Sequence, residues 1–335
     1  MNKGRRLARI FIQWVLPIAV LIAIAWQFVS ILSRPEVREQ IDKLQLRWYW
    51  LVGSGILYLC AHTIWANFWT RLLTQQGLPT SQATGITAYF ISQLGKYIPG
   101  KIWVILIRVT MLGTSGKSRT IVAVTATFEA LTSMATGGFI AALLLPLLSL
   151  DLTKFGAKNS SLVAIALLPV GLVFLNRLIY VMVKRQSQSG ETDIPLMSFR
   201  TMLLGILQAA VGWLFLGLSL WMTMQAILPE FRALELEELG RLTAINAIAY
   251  VIGFIFLFMP AGAGIREDVM KGLLTPELAG NFGEGAAGVA LYIALILRLV
   301  WTTAEILLVG LLYLRKKKLG SVPVPVTPSL QEQAA

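Results

Sequence analysis

Runs of about twenty apolar residues recur along this chain of 335, and few folds can absorb them. They lie at approximately 11–32, 48–73, 119–148, 160–183, 200–228 and 284–314. Each is long enough to cross the roughly 30 Å hydrocarbon core of a bilayer as a helix. Composition agrees: 56% of residues are hydrophobic and 14% charged, where a soluble domain carries roughly a quarter charged. The expected fold class is an all-α polytopic membrane protein. The first run follows a basic N-terminus as a signal peptide would. It has no small-residue cleavage site, so it is read as a retained helix.

Two further apolar regions, 83–113 and 243–274, are broken near the middle by "YIPGK" and "MPAGAGIRED". Proline removes a backbone donor, and glycine permits positive φ and close approach. Each region therefore reads as two half-helices that enter and leave on one side, a re-entrant hairpin. Irregular backbone at that depth is tolerated only inside protein or beside a wet cavity. The expected architecture is about six full spans plus two such hairpins, forming one transmembrane domain over 1–318. The Pro-rich tail 319–335 is expected to be disordered and cytoplasmic.

The net charge of +12 is read as topology and headgroup contact, not nucleic-acid binding. Basic residues cluster at the N-terminus (Lys3, Arg5, Arg6, Arg9), in the 184–200 connection and at Arg315 to Lys318. The first broken region and its flanks add Arg71, Lys96, Lys101, Arg108, Lys117 and Arg119. Six crossings place all of these on one side, which puts both termini in the cytoplasm; loop 34–47 is a mild exception. Trp48, Tyr49, Trp50, Trp65 and Trp69 read mostly as interface anchors.

An internal echo links the breaks. Pro99 and Pro260 are 161 apart, and at that offset Ala88, Tyr89 and Ile91 match Ala249, Tyr250 and Ile252. Each broken region precedes a long span bearing an acid, Glu129 or Glu305. Three crossings separate the units, so they would be inverted, as in many transporters. The alternative is two unrelated kinks.

Charges inside apolar runs are costly, by roughly 2.5–3.5 kcal/mol on insertion scales, so they must find a partner or a cavity. Glu129 lies on a polar face with Thr132, Ser133 and Thr136, and could pair with Arg298, Lys96 or Arg108. Arg298 and Glu305 are seven apart and share a helix face. Whether Glu129 serves a cavity or only packing stays open. Arg266, Glu267 and Asp268 follow the second break at a half-helix N-terminus, where free N–H groups suit an anion or those carboxylates themselves. Lys101 has the same place after the first. His62 is expected to be a satisfied buried histidine and Cys60 a packing residue. With one His and one Cys, no zinc cluster or catalytic dyad is expected, nor any metal or cofactor.

These motifs resemble the transmembrane flippase region of lysylphosphatidylglycerol synthases over about residues 10–315. Gly95, Lys96, Tyr97, Pro99 and Gly100 match a first break of the form G-[KR]-[YF]-[LI]-P-G. Pro260, Gly262, Gly264, Arg266 and Glu267 match a second, P-G-G-[LIV]-G-[VI]-R-E, from which Ala261 and Ala263 depart. The resemblance implies two re-entrant hairpins and movement of a lipid between leaflets in a bacterial or archaeal cytoplasmic membrane. No soluble aminoacyltransferase domain fits after residue 315, so the chain is not expected to lysylate lipid.

The leading expectation is a non-enzymatic lipid flippase acting on a phospholipid or lipid-linked intermediate. Its substrate site would comprise Lys96, Tyr97, Pro99, Gly100, Lys101, Arg108, Glu129, Pro260, Gly262, Gly264, Arg266, Glu267, Arg298 and Glu305. Glu129, Arg266, Lys101 and Arg298 should meet around one cavity open sideways to lipid. The other readings are a solute or ion transporter, a membrane accessory protein of lipid or envelope-glycan synthesis, and an intramembrane enzyme. Expected partners are a lipid with a phosphate headgroup, further copies of the chain and envelope-synthesis enzymes.

Overall fold

The computed structural model describes residues 46–98, 102–148, 177, 197–228, 233–256, 262 and 264–318. The expected span 11–32, nearly all of 160–183 and the tail 319–335 lie outside the described residues, as do Pro99, Gly100, Lys101 and Pro260. The described residues are helical, with no strand among them. In chain order they form α1 (Trp48–Gln75), α2 (Gln82–Gln93), α3 (Ile102–Leu112), α4 (Gly116–Leu144), α5 (Phe199–Ile227), α6 (Leu236–Ile255), α7 (Ile265–Phe282) and α8 (Ala286–Lys318). Five stretches are long and apolar enough to cross a membrane: Trp48–Gln75, Gly116–Leu147, Phe199–Ile227, Leu236–Ile255 and Ile265–Leu314.

Serines start three of these helices. Ser81, Ser115 and Ser198 each accept from the backbone N–H three residues on, at 3.2 Å, satisfying one orphan donor of the first turn. Ser118 returns the favour to the Ser115 N–H at 2.8 Å, completing a capping box before α4.

Small residues let α1 and α5 approach. Ser54 of α1 donates to the Ser219 carbonyl at 2.8 Å and lies 2.9 Å from the Thr223 hydroxyl. Hydroxyls and glycines at such contacts replace the hydrophobic driving force that lipid does not supply. Gly212 of α5 and Gly137 of α4 face the rings of Trp65 and Trp213 so closely that a Cβ would come within 2.2 and 2.4 Å of them. Trp65 and Trp69 are thus core residues, the latter 0% exposed, rather than the interface anchors expected of them. The room for those rings is made by other helices, which composition near the tryptophans does not reveal. Trp48 and Tyr49 are exposed, as interface residues are.

Both breaks are present. The first region folds as α2, a 3-10 turn over Leu94–Tyr97, and then α3. Its arms lie side by side, because Arg108 of α3 donates to Ser92 of α2 at 3.0 Å. Gly95 makes the approach close: a Cβ there would stand 2.9 Å from the backbone of Trp103 and Val104. Arms of 12 and 11 residues span about 18 and 16 Å, half a bilayer.

The second region differs from the expected 243–274. Its arms have 20 and 18 residues, about 30 and 27 Å. The apolar residues end before the helices do, and both arms run on into a charged stretch. Arg241 of α6 bonds to Glu237 at 2.6 Å, to Glu277 of α7 at 3.1 Å and to the Leu147 carbonyl at 3.1 Å. That network supports helix where hydropathy has already fallen.

Candidate functional site: a cation-lined cavity between the breaks

A cavity of about 380 Å³ lies among α1, α2, α3, α4, α6, α7 and α8. Much of its wall is apolar, including Trp65, Ile105, Leu131, Met134 and Phe254. Ile102 lines it and is 59% exposed, so the rim reaches the outer surface beside α3. Set into this wall are Lys96, Tyr97, Arg108, Glu129, Gly262, Arg266 and Arg298. Of the four residues expected to converge here, Glu129, Arg266 and Arg298 do; Lys101 is outside the described residues.

Three ion pairs tie the cations to the frame. Arg108 Nη1 donates to Glu129 Oε2 at 2.9 Å, and both are nearly fully buried. Glu129 Oε1 has a longer contact, 3.3 Å from the Ser133 hydroxyl. Of the three partners open to Glu129 from sequence, the structure selects Arg108. Glu305 is held harder. Its Oε1 accepts from Lys96 Nζ and the Tyr58 hydroxyl, and its Oε2 from the Tyr97 hydroxyl at 2.9 Å. It braces the first break against α8 from behind the wall. Arg298 pairs with Glu267 Oε1, so Arg298 and Glu305 share a helix face but serve different breaks.

Glu267 also anchors the second break. Its Oε2 accepts from the Gly264 N–H at 2.6 Å, closing the first turn of α7. Gly262 and Gly264 have φ of +69° and +84°, which other L-residues adopt only with strain. Both positions of positive φ described in this break hold glycine.

Among the described residues Arg266 has no such partner and forms no salt bridge. Its guanidinium lies over Tyr250 and Trp301, 4.7 and 4.3 Å from their ring centroids. The wall thus carries four cations, Lys96, Arg108, Arg266 and Arg298; among the described residues, Glu129 in the wall and Glu305 and Glu267 behind it pair with Arg108, Lys96 and Arg298 but not with Arg266.

Several participants carried no signal strong enough to single them out: Tyr58, Ser92, Thr302 and the ring pairs around the arginines. Aromatic and hydroxyl residues are common in apolar helices, and only the fold shows which ones meet charge. His62 also lines the cavity, against the expectation of a satisfied core histidine. Its Nδ1 is 3.3 Å from the Tyr89 hydroxyl, but Nε2 has no hydrogen-bond partner among the described residues.

Long apolar helices around a largely apolar cavity, with broken helices supplying its charges, define the class: an integral membrane protein. The sequence matches the family described as lysylphosphatidylglycerol synthase TM region over residues 14–310, and the chain belongs to that family. Its members are membrane proteins related to lipid handling. A search of curated proteins finds no match.

Proposed function

We propose that this protein is a lipid translocase that moves a phospholipid or lipid-linked intermediate between leaflets, without covalent chemistry and without a cofactor. The observation that carries the reading is the cavity wall: it sets four cations, Lys96, Arg108, Arg266 and Arg298, into largely apolar surroundings, and among the described residues only three of them have a carboxylate partner. A headgroup needs a polar path while its tails stay in lipid, and an excess cation favours a phosphate there. The exposed rim at Ile102 suits lateral entry, which a site for an ordinary solute does not need. In this reading the first broken region is a re-entrant hairpin and the second, with arms as long as full crossings, is its inverted counterpart across the cavity. Both termini face the cytoplasm. Further copies of the chain and envelope-synthesis enzymes are its proposed protein partners.

The accessory-protein reading finds support in the pairing of Glu129 with Arg108, which it expects. It also expects a packed interior, and a cavity of about 380 Å³ speaks against that. The test is reconstitution into vesicles with a panel of fluorescent lipids, following loss of signal to an external quencher. The translocase reading expects outward exposure of at least one phosphate-bearing lipid above empty vesicles. Signals equal to those of empty vesicles across the whole panel would favour the accessory role.

A further inference from the structure

Two arginines in the cavity wall are held in the same way. The Arg108 guanidinium lies 4.3 Å from the Trp69 ring and 4.4 Å from the Tyr89 ring. That of Arg266 lies 4.3 Å from Trp301 and 4.7 Å from Tyr250. The rings of each corner are 6.4 Å apart, inclined at 52° around Arg108 and 43° around Arg266. In both corners the tyrosine comes from the arm before a break and the arginine from the arm after it. The tryptophan comes from a long apolar helix, α1 or α8, and its indole N–H is fixed by a hydroxyl. Trp69 donates to Thr125 at 3.2 Å and Trp301 to Ser219 at 2.8 Å. Rings against the faces of a guanidinium leave its N–H edge for acceptors.

The corners differ in what meets that edge. Arg108 donates to Ser92 at 3.0 Å and to Glu129 at 2.9 Å. Arg266 meets no carboxylate among the described residues, since its neighbour Glu267 is committed to Arg298 and the Gly264 N–H. We infer that the Arg266 corner is an anion-binding subsite for the phosphodiester of an anionic lipid headgroup, and that Glu129 is the built-in occupant of the matching corner at Arg108. The identity of the ligand rests on the lipid-handling reading above; the subsite rests on the geometry. Guanidinium matches phosphate in a bidentate fork, and the apolar wall suits the glycerol and upper acyl chains. A zwitterionic headgroup brings a cation into a wall that already has one in excess. An anion reaches Arg108 only when Glu129 gives way, so the wild-type cavity holds one phosphodiester.

Native mass spectrometry on the full chain in detergent tests this. The probes are short-chain phosphatidylglycerol, phosphatidylcholine, diacylglycerol and inorganic phosphate. One phosphatidylglycerol should bind per chain, about tenfold tighter than phosphatidylcholine or diacylglycerol, as expected for a charge-assisted bidentate contact. Arg266→Gln should remove the preference, and Arg266→Lys should keep part of it. Glu129→Gln should admit a second phosphatidylglycerol. Melting curves confirm that each variant is folded. Unchanged preference in folded Arg266→Gln and Arg266→Lys, or a single bound lipid in Glu129→Gln, overturns the subsite. Displacement by equimolar inorganic phosphate overturns the lipid as ligand. Vesicle assays on the same preparations separate the two claims. Arg266-dependent binding without lipid movement removes the translocase reading alone, and movement without Arg266-dependent binding removes the subsite alone.

Discussion

Glu129 and Glu305 are both buried carboxylates in long apolar helices, and their surroundings give them different work. Glu305 has both oxygens engaged, by a lysine and two tyrosine hydroxyls. Such a group is a brace. Glu305→Ala leaves Lys96 without its counter-charge and should destabilise the protein by about 3–5 kcal/mol, read from unfolding in detergent. A loss under about 1 kcal/mol would show that water already satisfies Lys96. Glu129 has one good ionic contact and one long hydroxyl contact, and it faces the cavity. That is the arrangement of a carboxylate that can exchange its partner. At this scale much was legible. A charge within an apolar run is rare enough to name on sight, and Lys96, Arg108, Glu129, Arg266 and Arg298 were all singled out that way. Their pairings were not legible, because three cations lay within plausible reach of Glu129. The aromatic corners were not either, because a tyrosine or tryptophan carries no mark of which charge it will meet.

The breaks belong to the scale of elements. Proline and glycine announced both, and the structure places a helix on each side of each. Gly262 and Gly264 give the second its shape. Gly262→Ala and Gly264→Ala should each cost about 1–3 kcal/mol for backbone strain. The larger loss is expected at Gly262, where a Cβ would also stand 3.1 Å from the Gly253 carbonyl oxygen. Denaturant unfolding of the two variants checks the order; equal and negligible losses would mean that the break relaxes freely. What the sequence concealed was the length of the second pair of arms. Hydropathy falls before α6 begins, yet Arg241 holds Glu237, Glu277 and a carbonyl there. Arg241→Ala should lower stability by about 1.5–3 kcal/mol while leaving lipid binding at the cavity intact, since its contacts lie at the far ends of the arms. Loss of binding in folded Arg241→Ala would tie that network to the cavity.

For the whole molecule, the arrangement of charge makes the strongest demand. Basic residues flank the first broken region and both termini, and the proposed topology puts all of them in the cytoplasm. Cys60 is the chain's single cysteine, so Cys60→Ser provides a background for site-directed labelling. A cysteine at position 3 or 330 should react with an impermeant maleimide only after the cells are opened. Labelling of either in intact cells would reverse the orientation. The central claim is that the cavity moves a lipid, and we propose that Glu129, the carboxylate that lines it, carries the step by releasing Arg108 to the headgroup. Glu129→Gln keeps the shape of the side chain and an oxygen for Arg108 but leaves that buried cation without its counter-charge, so the protein should insert and fold while melting below wild type. The deciding measurement is the initial rate of lipid movement in vesicles containing Glu129→Gln against wild type, at equal protein density. The account predicts a rate indistinguishable from empty vesicles; a variant that moves lipid at the wild-type rate would contradict it.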